Sequence, residues 1–306
     1  MKATILICTR NQSTSLERTL HSLTALRLPA EMSFTTVVVD NGSIDNTPDV
    51  LARFAHALPL EVIREERPGL SVARNAGVAS LTGDIVLCTD DDAIVPPDWL
   101  SKYAKAFRAH PGVSFMGGDV VPVLDGGDPA WARAALRAAP SCFARFSVGT
   151  HDVEIGPDTP QRLLPFGVNM AFRVDALKQF RFDESLGRQP GGLTLSGEET
   201  ALMADMVRAG HKGLLVAGNP VEHHIHPSRQ NTGFIRDYYF AQGWQAGRRL
   251  ADRDNGPPAL ARTMAQTVAA GAALLARTCP RTLAGIWLER QHSHFSGRYA
   301  ALSDPG

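Results

Sequence analysis

The chain predicts an α/β fold on a mainly parallel sheet, flanked by helices and followed by a helical C-terminal extension. Three observations carry that prediction. Short apolar runs at residues 3–8, 35–39, 60–63 and 84–88 have the length and β-branched content of buried strands. Each is followed by a segment of helical period, the alternation that yields parallel strands with right-handed crossovers. A polar cluster also closes each run: Thr9-Arg10-Asn11, residues 40–46, residues 65–67 and Asp90-Asp91-Asp92. In an open parallel sheet, ligands bind outside the carboxyl ends of the strands, so the four clusters should converge on one cleft.

The elements follow in order. After the first strand, Thr14 and Glu17 have capping-box spacing, and Leu16, Leu20 and Leu23 recur at helical period, predicting a helix over 16–27. After the second strand, Thr47-Pro48 reads as an N-cap with proline at the first helical position, opening a helix to about residue 58. Residues 65–69 form a polar turn, and 70–79 a helix. The fourth strand ends at the triple aspartate. Trp99, Leu100, Tyr103 and Phe107 mark the apolar face of a helix and belong to the core. Residues 113–124 are strand-like and broken by Gly117-Gly118, and 128–139 read as a helix. Residues 141–161 carry no pattern that assigns them. Residues 163–173 precede a helix from Val174, 180–197 form a glycine-containing loop, and 198–208 a helix stopped by Gly210. A strand at 214–217 leads into Val221-Glu222-His223-His224-Ile225-His226, residues 231–250 are helical, and Asn255-Gly256-Pro257-Pro258 marks a boundary. The domain expectation is 1–228, with a nucleotide-binding half at 1–125 and an acceptor half at 126–228, then the extension 229–306.

Composition narrows the classes. The 306 residues are 44% hydrophobic and 20% charged, as in a globular protein with a sizeable core, and the formal net charge is zero. A general nucleic-acid binder would carry a basic excess, so no nucleic-acid partner is expected. None of Cys8, Cys88, Cys142 and Cys279 forms a metal-type pair, which favours a reduced, cytoplasmic protein. Met1-Lys2-Ala3-Thr4-Ile5 runs straight into the first strand, so no signal peptide is expected. No stretch reaches the roughly 20 apolar residues that span a bilayer. The apolar stretch 263–276 reads as a core or amphipathic helix, which leaves open peripheral contact at the inner face of the membrane for a lipid-linked acceptor.

The chemistry is concentrated at Asp90-Asp91-Asp92. Three consecutive carboxylates at the end of a buried strand repel one another, and a hard divalent cation, Mn²⁺ or Mg²⁺, relieves that repulsion. Acidic loops beside Thr9 and Asn11, with Arg10, Arg67 and Arg74 as phosphate partners, suit a metal-bound nucleoside diphosphate. No G-x-G-x-x-G follows the first strand and no phosphate-loop signature is present, so dinucleotide and P-loop sites are excluded.

These residues, in this order, resemble the family 2 glycosyltransferases, inverting enzymes of the GT-A fold. The matching segments are Thr9-Arg10-Asn11, Val39-Asp40-Asn41-Gly42-Ser43 with Asp45 and Thr47, Gly69 with Ala73-Arg74-Asn75-Ala76-Gly77, Asp90-x-Asp92, Gly167-x-Asn169-Met170 and Gly197-Glu198-Glu199. They cover residues 3–226. The resemblance implies transfer of a sugar from a nucleotide-diphospho-sugar, typically a UDP-sugar, to a glycan, lipid-linked or small-molecule acceptor. It implies that Thr9 and Asp40 hold the base and that Arg74 lies near the nucleotide. Asp90 would contact ribose or metal, with Asp91 beside it, and Asp92 would ligate the metal. Gly167, Asn169 and Met170 would border the acceptor. Glu199 matches the catalytic base where the family usually has aspartate, which leaves Glu198 as the alternative. One of His223, His224 and His226 would be a further metal or phosphate contact; alternation puts His224 and His226 on one strand face and His223 on the other. Glu199 opens a helix, whose N-terminal dipole favours an ionised carboxylate near neutral pH. The competing readings are a non-catalytic nucleotide-sugar or glycan-binding subunit and a sugar-phosphate nucleotidyltransferase. The second would carry a glycine-rich loop where this chain has Thr9-Arg10-Asn11-Gln12-Ser13.

Overall fold

The structure is a computed structural model of the chain, and it describes residues 1–126, 128–189, 195–251, 269 and 283–303. The break at 255–258, Cys279, and the apolar stretch 263–276 apart from Ala269 lie outside the described residues. The chain divides into two compact units.

The first unit comprises the described residues of Met1–Val123, Phe146–Pro190 and Gly197–His224. Its parallel half is β1 (Lys2–Thr9), β2 (Ser33–Asp40), β3 (Leu60–Arg64) and β4 (Ile85–Asp90), arranged β3-β2-β1-β4. Each apolar run of the sequence is one of these strands. The sheet continues with strands that the sequence resolves less well, in the order β8 (Met170–Arg173), β6 (Val113–Leu124), β9 (Lys212–Ile225) and β5 (Ala93–Ile94). β8 runs antiparallel to β4 and β6, β5 runs antiparallel to β9, and β7 (Val153–Ile155) pairs with β9. β7 falls in the stretch that sequence pattern leaves unassigned.

Helices α1 (Ser13–Thr24), α2 (Thr47–Phe54), α3 (Leu70–Ser80) and α4 (Trp99–Ala109) follow the expected order. Leu16, Leu20 and Leu23 of α1 are buried, and Trp99, Leu100, Tyr103 and Phe107 of α4 are core residues. α3 lies close on the sheet because Gly77 presents no side chain there; a Cβ would overlap Leu6 and crowd Val39.

Three local expectations are corrected. Thr14 is not a cap: α1 starts at Ser13 after Gln12, without a side-chain cap of its own, and Glu17 pairs with Arg53 at 2.7 Å. β6 is unbroken at Gly117-Gly118, which are close-packing positions: a Cβ on Gly117 would overlap Pro165, and one on Gly118 would meet the Asn169 amide. β9 is one continuous strand of 14 residues, with Val221, His223 and Ile225 buried on one face. Short helix α6 (Val174–Leu177) and helix α7 (Glu198–Arg208) complete this unit, and α7 buries Leu202, Met203 and Met206. α7 has the bounds its periodicity predicts.

The second unit comprises Leu124–Arg145, the described residues from Ile225 onward, and Leu195 and Ser196. It holds α5 (Pro129–Ala138), α8 (Thr232–Ala251) and α9 (Leu283–Ser303). Asp128 caps α5 by accepting the Ala130 N–H at 2.8 Å. A core of Phe143, Ile225, Ile235, Tyr239 and Ile286 holds the unit together. Gly243 of α8 and Gly297 of α9 let the two backbones touch, since a Cβ on either would overlap a carbonyl of the other helix. Among the described residues, no helix is long and apolar enough to cross a membrane.

Candidate active site

The loops after β1 and β2 are fastened to each other at the carboxyl edge of the sheet. Thr9 and Asp40 are register partners there. Beyond them, the Arg10 guanidinium donates to the Asn41 carbonyl, and the Asn11 N–H donates to Ser43 Oγ at 3.0 Å. Asn11 Oδ1 accepts the Ile44 N–H at 2.8 Å. Asn11 has φ +53°, a left-handed conformation that asparagine tolerates better than most residues. Asp45 then closes both helices: Oδ2 accepts the Ser13 N–H at 3.0 Å at the start of α1, and Oδ1 accepts the Thr47 N–H at 3.1 Å and hydroxyl at 2.6 Å at the start of α2. Burial acts to raise the Asp45 pKa, but these hydrogen bonds outweigh it and hold the carboxyl below its ordinary value.

Asp40 is buried and accepts the Ser43 N–H at 2.9 Å, with Arg64 on its other oxygen. Sequence reasoning missed Arg64. The available signal was positional: it ends β3 directly in register with Asp40. Asn41 fastens the third loop by donating to the carbonyls of Glu65 and Arg67 and accepting the Gly69 N–H. Arg67 is exposed and held by Glu65 at 3.1 Å, with Glu184 at 3.6 Å.

The triple aspartate turns from β4 into β5. The Thr9 hydroxyl donates to Asp91 Oδ2 at 2.6 Å. Burial, followed by the charges of Asp92 and Asp90, pushes the Asp91 carboxyl up to about 7. Pairing of Ala93 with His223 brings β9 alongside, and the His224 N–H donates to the Asp92 carbonyl at 2.8 Å. As a result, His223 Nε2 stands 3.3 Å from Asp92 Oδ1. Asp90, Asp92 and His223 each offer a ligand atom within 4.8 Å of the others. The two carboxylates suit Mn²⁺ or Mg²⁺ by donor type, and the imidazole nitrogen is a softer donor that transition-metal cations take more readily than Mg²⁺. His224 and His226 are not part of this group: His224 lies 3.4 Å from Glu222, and His226 bonds Ser228 at 2.8 Å. Strand alternation separates His223 from both, as its buried face requires.

Gly197, at φ +98°, turns the chain into α7, so Glu198 and Glu199 occupy the first turn. Their environments differ. Glu198 Oε1 is ion-paired with the buried Arg74 guanidinium, which also reaches Asp90 at 3.5 Å and Glu199 at 3.9 Å. Glu199 Oε2 accepts no hydrogen bond among the described residues. Burial, then the Glu198 charge, push Glu199 up to about 8 against the pull of Arg74. This corrects the expectation of an ionised Glu199 at neutral pH, because desolvation and a neighbouring acid outweigh the helix terminus. Arg74 stacks on Phe182 at 5.5 Å, and Gly167 leaves it room, since a Cβ there would lie 2.5 Å from its Nη2.

Asn169 and Met170, expected at the acceptor, are internal. Asn169 Oδ1 accepts from Trp99 at 2.9 Å and Tyr103 at 2.8 Å, while its amide donates to the carbonyls of Asp119 and Asn219, both at 2.9 Å. Those four bonds use the full capacity of the side chain. Met170 is fully buried in β8.

The Glycosyl transferase family 2 profile matches residues 4–181, which includes the three loops and the triple aspartate but stops before Glu198 and His223. The chain is 24% identical over 269 residues to the succinoglycan biosynthesis protein ExoM of Rhizobium meliloti, covering 82% of this chain and 75% of that one. It is 24% identical over 257 residues to the glucosyl-dolichyl phosphate glucuronosyltransferase of Haloferax volcanii, covering 82% and 78%. Among solved structures, the mannosyltransferase PcManGT from Pyrobaculum calidifontis, in complex with GDP-Man and Mn²⁺, matches with TM-score 0.64 at 20% identity, covering 99% of this chain and 88% of that one. S. aureus TarS 1-349 in complex with UDP-GlcNAc matches with TM-score 0.57 at 15% identity, covering 97% and 90%. The structural likenesses carry the GT-A fold, and the profile carries the family. The chain belongs to glycosyl transferase family 2.

Proposed function

We propose that the protein is an inverting glycosyltransferase that moves a sugar from a nucleotide-diphospho-sugar, a UDP-sugar, to an acceptor hydroxyl. Glu199 is the general base. The observation that carries this reading is the division of labour between the two acids: Arg74 bonds Glu198 but only approaches Glu199, at 3.9 Å, and Glu199 is pushed up to about 8. A carboxyl tuned near the operating pH suits proton abstraction from a hydroxyl. Thr9 and Asp40, at the register position where the first two loops meet, are the contacts for the base. Asp90, Asp92 and His223 would hold Mn²⁺ or Mg²⁺, which when bound supplies positive charge for the departing diphosphate. Glu199 takes the acceptor proton as the hydroxyl oxygen bonds the anomeric carbon and the carbon–oxygen bond to the diphosphate breaks, in one displacement with inversion. Arg74 keeps Glu198 out of that role.

The complexes of PcManGT with GDP-Man and Mn²⁺ and of TarS with UDP-GlcNAc support a nucleotide-sugar on this fold. The names of the two relatives support a glycan or lipid-linked acceptor. In this reading the protein works at the cytoplasmic face of a membrane, residues 1–228 are the catalytic domain and 229–306 an extension.

The test is a screen of UDP-, GDP- and dTDP-sugars, with and without Mn²⁺, for release of the nucleoside diphosphate, followed by the anomeric configuration of the glycoside formed. Metal-dependent release from a UDP-sugar and an inverted product are expected. Glu199→Gln should lower kcat by about 10²–10⁴ and leave UDP affinity intact, as loss of a general base does. A retained configuration, or full turnover by Glu199→Gln, would overturn the mechanism.

A further inference from the structure

We infer that Arg64 is a specificity-determining residue: with Asp40 it selects a donor base that shows a carbonyl beside a ring N–H, as uracil and guanine do, over cytosine and adenine. The inference rests on the reading of the cleft as a nucleotide-sugar site. Thr9, Asp40 and Arg64 end three neighbouring parallel strands, and they are register partners in a row, Thr9 beside Asp40 and Asp40 beside Arg64. The row sets a hydroxyl, a carboxylate and a guanidinium along the carboxyl edge of the sheet, where an open parallel sheet binds its ligand. The Thr9 hydroxyl is engaged by Asp91. That leaves the carboxylate and the guanidinium to meet a base.

Both groups are fixed in direction, and neither is saturated. Asp40 takes the Ser43 N–H on Oδ1 and the Arg64 guanidinium on Oδ2. A carboxylate accepts about four hydrogen bonds, so each oxygen keeps a lone pair. Arg64 is held at two of its three nitrogens. Nε donates to Glu66 at 2.8 Å, and Nη1 donates to Asp40 and, at 3.2 Å, to the Ser43 carbonyl. The loop that carries Glu66 is itself fastened by Asn41, through the carbonyls of Glu65 and Arg67. Arg64 Nη2 makes no hydrogen bond among the described residues, and the side chain is 43% exposed. A fixed acceptor with a fixed donor beside it is the complement of an N–H beside a carbonyl. Uracil N3–H or guanine N1–H donates to Asp40, and uracil O4 or guanine O6 accepts from Arg64 Nη2. Cytosine and adenine show a bare ring nitrogen and an amino group on that edge. Their nitrogen lone pair would face the carboxylate and their amino group the guanidinium, so both contacts repel and the wrong base is refused as well as the right one bound.

The experiment measures binding of UDP, CDP, GDP and ADP to the full chain by calorimetry with Mn²⁺ present. UDP and CDP share a ring size, as do GDP and ADP, and each pair differs at the edge that Asp40 and Arg64 face. In whichever pair binds, the carbonyl-bearing member is expected to bind at least about tenfold more tightly, the discrimination that a matched hydrogen-bonding edge gives. Arg64→Met keeps an aliphatic stem and removes the donors; it is expected to narrow that preference about tenfold. Arg64→Lys restores a charged donor and is expected to recover part of it. A residue that only braced Asp40 would weaken every nucleotide together, so an unchanged preference in Arg64→Met would overturn the inference. Equal binding of both members of a pair by the wild-type chain would overturn it without any variant and leave the glycosyl-transfer reading in place. Binding of none of the four nucleotides would overturn both.

Discussion

Glu198 and Glu199 are neighbours in sequence with the same side chain, yet one is a strut and the other is held in reserve. The difference comes from Arg74, which bonds the first and only approaches the second. Glu199, pushed up to about 8, binds its proton more tightly in the folded chain than in the unfolded one. Its contribution to stability is therefore present below the ordinary carboxylate range and is lost as pH rises through about 8. Glu199→Gln escapes that loss. Its melting temperature relative to wild type should climb from about pH 5 to about pH 9, and a constant difference in thermal scans would refute the assignment. On the proposed reading of Glu199 as the base, catalysis responds in the opposite direction, because the base form accumulates with rising pH. Glu198→Gln removes a charge that raises the Glu199 pKa, so the acidic limb of kcat should move to lower pH. A limb that stays in place in the kcat–pH profile would separate the two acids. At the other pole, Asp92→Asn and His223→Ala should each abolish Mn²⁺-dependent UDP binding by calorimetry, whereas His224→Ala should leave it unchanged. Loss with His224→Ala alone would reassign the cation.

At the scale of elements, one residue joins four pieces of structure. Asn169 immediately precedes β8, bonds Trp99 and Tyr103 of α4, Asp119 of β6 and Asn219 of β9, and so ties the antiparallel half of the sheet to the helix behind it. The family resemblance implies an acceptor contact at this position; the geometry makes it a joint. Asn169→Leu would strand two buried donors and two carbonyls. Each buried group left without a partner costs about 1–3 kcal/mol, so a loss of at least about 4 kcal/mol is expected in urea unfolding. A change below about 1 kcal/mol would mean that the site relaxes around the leucine. The same logic explains the misread glycines of β6. Gly117 and Gly118 look like breaks in a run of letters, yet they are the gaps into which Pro165 and Asn169 fit.

For the whole molecule, zero net charge hides an asymmetry. Residues 229–306 hold ten arginines, no lysine and five acids, so the basic excess lies in the extension and the acidic excess in the remainder. Such an excess suits electrostatic contact with an anionic membrane surface, and no described helix crosses a bilayer. On the proposed reading of peripheral contact, high salt should release the protein from membranes. Retention in the membrane pellet after a carbonate wash would refute peripheral attachment.

The sequence by itself determined the order of strands and helices in the α/β half, the bounds of α7 and the place where acids gather. These follow from local periodicity and from strand-end positions, both of which a short window of residues carries. It also left a pair of glutamates and a trio of histidines in view without telling their surroundings apart. Only the tertiary structure separates those surroundings. Arg74 finds Glu198 across 124 residues of chain, and Thr9 finds Asp91 across 82. His223 meets Asp92 because a two-residue strand, β5, pairs with β9 in one register. Such partnerships depend on burial and on which surfaces the sheet brings together, and no local pattern encodes either.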